Sequence, residues 1–202
     1  FDIFIRTLCL ITSFAVFTAL GARLGDVTLA ANAILQNLLQ FTAFGLDGFA
    51  HAVEVLAGAA LGARNREAFR AAIRVSSLWA SLTALAVALF FFLAGETVIG
   101  FFTDLPEVRA AAAEYLPWMI LLPLVAVWPY QLDGIFIGAT RTAALRNAMI
   151  VSLAAFLLAV WGLVPLWGND GLWLALTLFM AARALTLAVC YPALDRSVAA
   201  PA

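Results

Sequence analysis

The sequence of 202 residues contains no lysine, because all eleven basic residues are arginine. Charged residues make up only 11% of the chain, and the formal net charge is −1. A soluble domain typically carries about 25% charged residues. A water-soluble core inside a charged shell is therefore excluded. Without a basic surface, nucleic acid is not expected as a partner either.

The residues that most catalytic and metal sites use are also scarce. There is one histidine, and the two cysteines, Cys9 and Cys190, lie inside apolar stretches. Neither a disulfide framework nor a thiolate metal site is expected from such cysteines. The sequence lacks the common hydrolase, zinc-protease and phosphate-loop motifs. We therefore expect no enzyme, no catalytic residue, no metal site, no organic cofactor and no ATP-driven pump.

Hydrophobic residues are abundant instead, at 65% of the chain, with a mean hydropathy of +1.04. A bilayer core about 30 Å thick requires roughly 20 apolar residues for each helical span. Long continuous apolar runs separated by short polar segments predict an all-α membrane protein, a six-transmembrane-helix bundle forming one unit over 1–202. The predicted spans are about 3–22, 28–62, 71–94, 115–138, 148–166 and 171–192.

The arginines predict the orientation of these spans. If the start of the chain is cytoplasmic, eight arginines fall on the inner side and only Arg23 and Arg109 on the outer side. This asymmetry follows the positive-inside rule. The inner set is Arg6, Arg64, Arg66, Arg70, Arg74, Arg141, Arg146 and Arg196. We therefore expect a multi-pass protein of the cell (inner) membrane with both termini in the cytoplasm.

The second predicted span carries ionisable residues where charge is costly. Asp47, His51 and Glu54 are spaced four and then three residues apart, so they share one helical face. Gln36 and Gln40 extend the same stripe towards the start of the span. Ionisable groups inside a span usually indicate function. The stripe predicts an ion or substrate site. The alternative is a hydrogen-bonded trio that only fixes helix packing, and for His51 alone we favour this structural interpretation.

The fourth predicted span combines prolines with a carboxylate. Pro123 and Pro129 each remove a backbone donor and are expected to kink the helix, and Asp133 follows Pro129 by one turn. A cation or proton site at Asp133 is one hypothesis, and a pair with Arg141 or Arg146 is the other. Arg183 lies inside the last span, where we favour snorkelling or a pair with an acid on a facing helix.

A weak repeat recurs at an offset of 76 residues. Leu61-Gly62-Ala63 and Arg70 match Ile137-Gly138-Ala139 and Arg146. Internal duplication is one explanation, and two similar short loops are the other.

Three stretches together resemble the carboxy-terminal lobe of the multidrug and toxic compound extrusion (MATE) family, in its DNA-damage-inducible (DinF-like) branch. The stretches are Leu132-Asp133-Gly134 through Thr140-Arg141-Thr142, Leu46-Asp47-Gly48 through His51 with Glu54, and Leu172-Trp173-Leu174 with Ala182-Arg183.

The resemblance implies one lobe of a twelve-helix transporter that exchanges protons or sodium ions for amphiphilic, often cationic, organic compounds. It implies that Asp133 is the acidic residue of this lobe's cation site. The acid that other branches place in the lobe's first helix has no counterpart between Ser13 and Val16. It further implies an amino-terminal six-helix lobe as the missing partner, together with the bilayer and amphiphilic small molecules.

The leading hypothesis is therefore an ion-coupled antiporter lobe that exports such compounds by alternating access. Asp47, Glu54 and Asp133 would line its cavity. A flippase for lipid-linked precursors is the alternative within transport, although its cavity should be strongly basic. A non-transporting structural subunit is the alternative outside transport.

Overall fold

The computed structural model describes residues 1–198, and these form five helices. They are α1 (Asp2–Arg23), α2 (Asp26–Gly62), α3 (Arg66–Phe102), α4 (Pro106–Gly138) and α5 (Thr142–Ser197). Each is long and apolar enough to cross a membrane. The all-α class predicted from the sequence is confirmed.

The fifth helix contains the last two predicted spans without a loop between them. Gly168 interrupts it with a φ of 53° and a ψ of −124°, which is not helical. Phe156 and Phe179, on either side of the break, meet edge to face with ring centroids 6.0 Å apart. In a straight helix, 23 residues would separate them by about 35 Å. The two halves of α5 therefore fold back on each other as antiparallel segments, and the expected polar loop at 168–171 is instead a one-residue break.

Short connections join the other helices and force neighbours to run antiparallel. The ends of α2 and α4 have the same backbone turn, with Arg64 at a φ of 54° and Thr140 at a φ of 57°. In each turn the next residue donates its N–H to a carbonyl five residues earlier, as Asn65 does to Ala60. This ending closes the helix with a left-handed residue. The two copies of the sequence repeat thus share the same turn between helices.

Helices α2 and α4 approach each other closely because glycines line their contact. A Cβ at Gly134 would overlap the carbonyl oxygen of Ala50, and one at Gly138 would overlap that of Glu54. Small residues allow backbones to meet in this way in membrane helices. The contact fixes Asp133, the neighbour of Gly134, against the polar stripe of α2.

Polar contacts hold the two ends of the bundle. At one end Arg146 on α5 pairs with Asp2 on α1 at 2.6 Å. At the other end Asn32 on α2 exchanges two hydrogen bonds with Asn169 and accepts a third from the indole of Trp173. The first end carries most of the arginines, and we name it the arginine-rich end.

The outward faces of the helices are apolar. Leu82, Leu85, Leu89, Phe92 and Leu93 on α3 are all exposed. An apolar belt of this size is expected on a protein whose surroundings are lipid. The buried residues pack mainly between α1, α2, α4 and α5.

Candidate functional site

Asp133 forms the centre of an ionic triad with two arginines. Arg6 on α1 and Arg183 on α5 both donate to its carboxylate. The Nε of Arg6 lies 3.1 Å from Oδ2, and the Nε of Arg183 lies 3.2 Å from Oδ1. Arg183 is only 1% exposed, whereas 20% of the Arg6 side chain is exposed. One carboxylate therefore joins three helices, with one of its cations buried and the other within reach of a cavity.

Aromatic and polar neighbours complete the surroundings of the triad. The guanidinium of Arg183 lies 5.7 Å from the ring centroid of Tyr130, one turn before Asp133 on α4. A cation over an aromatic face gains electrostatic energy, more when both are away from water. Between these two positions on α4, buried Gln131 accepts a hydrogen bond from the hydroxyl of Ser76 at 3.1 Å. This turn of α4 is thus tied to α1, α3 and α5 by polar contacts.

A cavity of about 170 Å³ opens beside the triad. Four of its lining residues are Asp47, His51 and Glu54 on α2 and Asp133 on α4, and Arg6 lines it as well. His51 Nδ1 lies 3.5 Å from Glu54 Oε2, and the His51 side chain is largely exposed. The structure therefore brings together the three carboxylates that the sequence singled out on two different spans.

The other predicted site residues lie elsewhere. Gln36 and Gln40 are on α2, seven or more residues before Asp47, and do not line this cavity. Pro123 and Pro129 are buried inside α4, which continues as a helix through both of them. A kink at these prolines stays a prediction.

Sequence reasoning missed Arg6 and the partners of Asp133. It assigned Arg6 to the inner surface, but Arg6 is four residues inside α1 and turns towards Asp133. A pair between Asp133 and Arg141 or Arg146 is not formed, since Arg146 pairs with Asp2. Of the two alternatives for Arg183, snorkelling or a pair with an acid on a facing helix, the structure has the pair, with Asp133. The signal available for Arg6 was its position inside the first apolar window.

The charges in and directly behind the cavity are mixed. Three carboxylates, of Asp47, Glu54 and Asp133, face two guanidinium groups, of Arg6 and Arg183. With a neutral histidine, one negative charge remains. Guanidinium groups remain protonated at any physiological pH, so only the carboxylates and His51 can change charge there. The arrangement can accept a cation or a proton at the two acids on α2, which lie outside the triad.

Five apolar membrane-length helices, the last of them broken at Gly168 into two antiparallel segments, define a polytopic integral membrane protein. The comparisons with known proteins agree. The chain belongs to the MatE family, whose model matches residues 3–162.

Two curated relatives extend this family assignment. The chain is 46% identical over 190 residues to the DNA damage-inducible protein F of Escherichia coli strain K12, covering 94% of this chain and 41% of that protein. It is 32% identical over 188 residues to the probable multidrug resistance protein NorM of Pseudomonas syringae pv. tomato, covering 87% and 40% respectively. The chain thus spans about two-fifths of the length of these relatives.

Solved structures have the same fold. An outward-facing multidrug resistance MATE transporter of the MOP superfamily superposes with a TM-score of 0.86 over 94% of this chain and 43% of its own, at 16% identity. A MOP superfamily transporter from Pyrococcus furiosus superposes with a TM-score of 0.85 over 94% of this chain and 42% of its own, also at 16% identity. The resemblance to a MATE-type lobe is therefore confirmed.

Proposed function

We propose that this chain is one lobe of an ion-coupled antiporter that exports amphiphilic or cationic organic compounds. The observation that supports this best is the cavity in which Asp47 and Glu54 lie beside the Asp133 triad. Neither of these two carboxylates on α2 hydrogen-bonds an arginine in the part of the chain that the structure describes. They are therefore available to a proton, a sodium ion or a cationic solute.

The coupling follows from charge. While Asp47 and Glu54 are ionised, they attract a cation, and this Coulomb attraction is stronger beside an apolar bundle than in bulk water. Protonation or sodium binding removes that attraction, so ion entry releases the exported cation. A second six-helix lobe would supply the opposite wall, and alternating access would arise from movement of one lobe against the other.

The arginines suggest how the lobe sits in the membrane. The arginine-rich end contains the starts of α3 and α5 and the ends of α2 and α4. Under the positive-inside rule this end faces the cytoplasm, in the inner or plasma membrane, with both termini on that side.

A flippase for lipid-linked diphosphates is less well supported. Such a substrate needs a strongly basic cavity. Arg6 does line the cavity, but carboxylates outnumber guanidinium groups there. A purely structural subunit does not explain why the carboxylates of Asp47 and Glu54 lie inside an apolar bundle without an arginine partner among the described residues.

The test is transport in proteoliposomes by the protein expressed from its native reading frame. Ethidium serves as the cationic amphiphile, and a proton or a sodium gradient is imposed separately. We expect uptake to depend on one of the two gradients. Asp47→Asn combined with Glu54→Gln should reduce the initial rate at least tenfold.

A matched control removes an exposed acid outside the cavity. Glu114→Gln on α4 makes the same kind of change at an exposed position and should transport at the wild-type rate. Wild-type transport and ion exchange in the double variant, with normal elution in size exclusion, would show that these carboxylates do not couple the ion.

A further inference from the structure

A second polar site lies at the arginine-rich end, between the start of α3 and the end of α5. Arg66 Nη2 donates to Asp195 Oδ2 at 2.6 Å, and Arg70 binds both oxygens of the same carboxylate at 2.8 and 2.5 Å. Asp195 lies beyond the last predicted span, 171–192. The hydrogen bonds from Arg70 and Arg66 hold the pKa of this carboxyl well below its usual range. Asp195 therefore remains ionised and fixes two guanidinium groups side by side.

These groups line a cavity of about 730 Å³ that holds excess positive charge. Arg74 and Glu67 also line it. Three arginines thus face two carboxylates. Arg74 is exposed and has no ion pair among residues 1–198, and the buried Nε of Arg66 has no hydrogen-bond partner there. An anion with several acceptor oxygens would satisfy both.

An apolar cavity of about 250 Å³, which we name the lower cavity, continues from the charged upper cavity towards the middle of the bundle. The two share Ile73 and Tyr191 as lining residues, and the lower cavity adds Trp128, Leu132 and Ile135. Gln131 also lines it, is 2% exposed, and has an amide nitrogen without a hydrogen-bond partner in the described part of the chain. A buried donor without an acceptor is costly, so a bound acceptor is expected there.

We propose that this two-part crevice binds an anionic phospholipid, with its phosphate on Arg66, Arg70 and Arg74 and one acyl chain in the lower cavity. Basic pockets between helices at the membrane surface are suited to such head groups. The apolar lower cavity has room for the first part of a hydrocarbon chain, and ester carbonyl oxygens are acceptors for a donor such as Gln131. A free phosphate ion would fill only the upper part. This site is separate from the Asp133 cavity and does not depend on the proposed transport.

The test is native mass spectrometry of the protein expressed from its native reading frame and delipidated in detergent. It is titrated with dioleoyl phosphatidylglycerol or dioleoyl phosphatidylcholine. We expect the anionic lipid to bind at least fivefold more tightly. Arg74→Gln should weaken it about fivefold, since one basic side chain near the membrane surface contributes about that factor.

Two further variants separate this site from general charge effects. Arg141→Gln removes an exposed arginine from the same end but outside the crevice, and should leave binding unchanged. Ala188→Phe fills the lower cavity without changing charge and should weaken the anionic lipid. Arg66 and Arg70, not Arg74, bind Asp195, so the loss of Arg74 should leave the fold intact.

Four outcomes would overturn the proposal. They are equal binding of the two lipids, equal weakening by Arg74→Gln and Arg141→Gln, no effect of Ala188→Phe, and displacement of the lipid by millimolar inorganic phosphate. The last would show that the site takes a free anion rather than a lipid.

Discussion

Removal of the Asp133 carboxylate should destabilise the bundle more than removal of either arginine that it binds. Asp133→Asn leaves Arg183, which is 1% exposed, without a carboxylate and with Arg6 as a like-charged neighbour. Loss of one partner from a buried ion pair costs about 3–5 kcal/mol. We expect a loss of stability in this range.

Either single arginine variant should cost less, because the carboxylate keeps its other partner. Arg183→Met leaves the carboxylate paired with Arg6 and strands no charge, so the loss should be about 1.5–3 kcal/mol, the value for a hydrogen bond to a charged group. Arg6→Met should cost about 1 kcal/mol, since Arg6 is partly exposed. The double variant Asp133→Asn with Arg183→Met should be more stable than Asp133→Asn alone, since it removes the stranded buried charge.

The assay is the melting temperature of each purified variant in detergent, followed by size-exclusion fluorescence. The expected order of stability, from highest to lowest, is wild type, Arg6→Met, Arg183→Met and Asp133→Asn. The reasoning would be refuted if Arg183→Met melted at or below the temperature of Asp133→Asn. It would also be refuted if the double variant were the least stable of the set.

Two pairs of substitutions, each a variant with its control, test the packing around α2. Gly134→Ala should lower the melting temperature by several degrees, because the added Cβ would overlap a backbone carbonyl of α2. The control Gly48→Ala meets nothing within 4 Å and should be neutral or slightly stabilising. Equal effects of the two substitutions would contradict the close helix contact. Asn32→Ala should lower the free energy of unfolding by about 1–3 kcal/mol, because three hydrogen bonds are lost. The control Asn37→Ala, at an exposed position, should change it little. An unchanged melting temperature for Asn32→Ala would contradict the buried network.

The fold was largely predictable because apolar length sets membrane spans directly. The break at Gly168 was not, since a polar Gly-Asn-Asp-Gly segment resembles a loop in any hydropathy window. The pairing of Asn169 with Asn32 across the bundle and the hydrogen bond from the Trp118 indole to Asp170 show why the segment stays compact.

The site was predictable in its residue types but not in its pairing. The spacing of Asp47, His51 and Glu54 places them on one face of a helix without knowledge of any neighbour. The partners of Asp133 come from α1 and α5, 127 and 50 residues away in the chain, and periodicity carries no information about such contacts. Arg6 was missed because its charge near a span end resembles a surface residue.

The triad also constrains the order in which the bundle can be completed during synthesis. Arg6 leaves the ribosome 127 residues before Asp133 and 177 before Arg183. Helix α1 is therefore made before the carboxylate that binds Arg6. An arginine near the end of a membrane helix can extend its side chain to the membrane surface, so α1 can insert before its carboxylate partner has been made. The Arg6 side chain should therefore turn towards Asp133 only after α4 has been made. The triad is complete once the second half of α5, which carries Arg183, has followed.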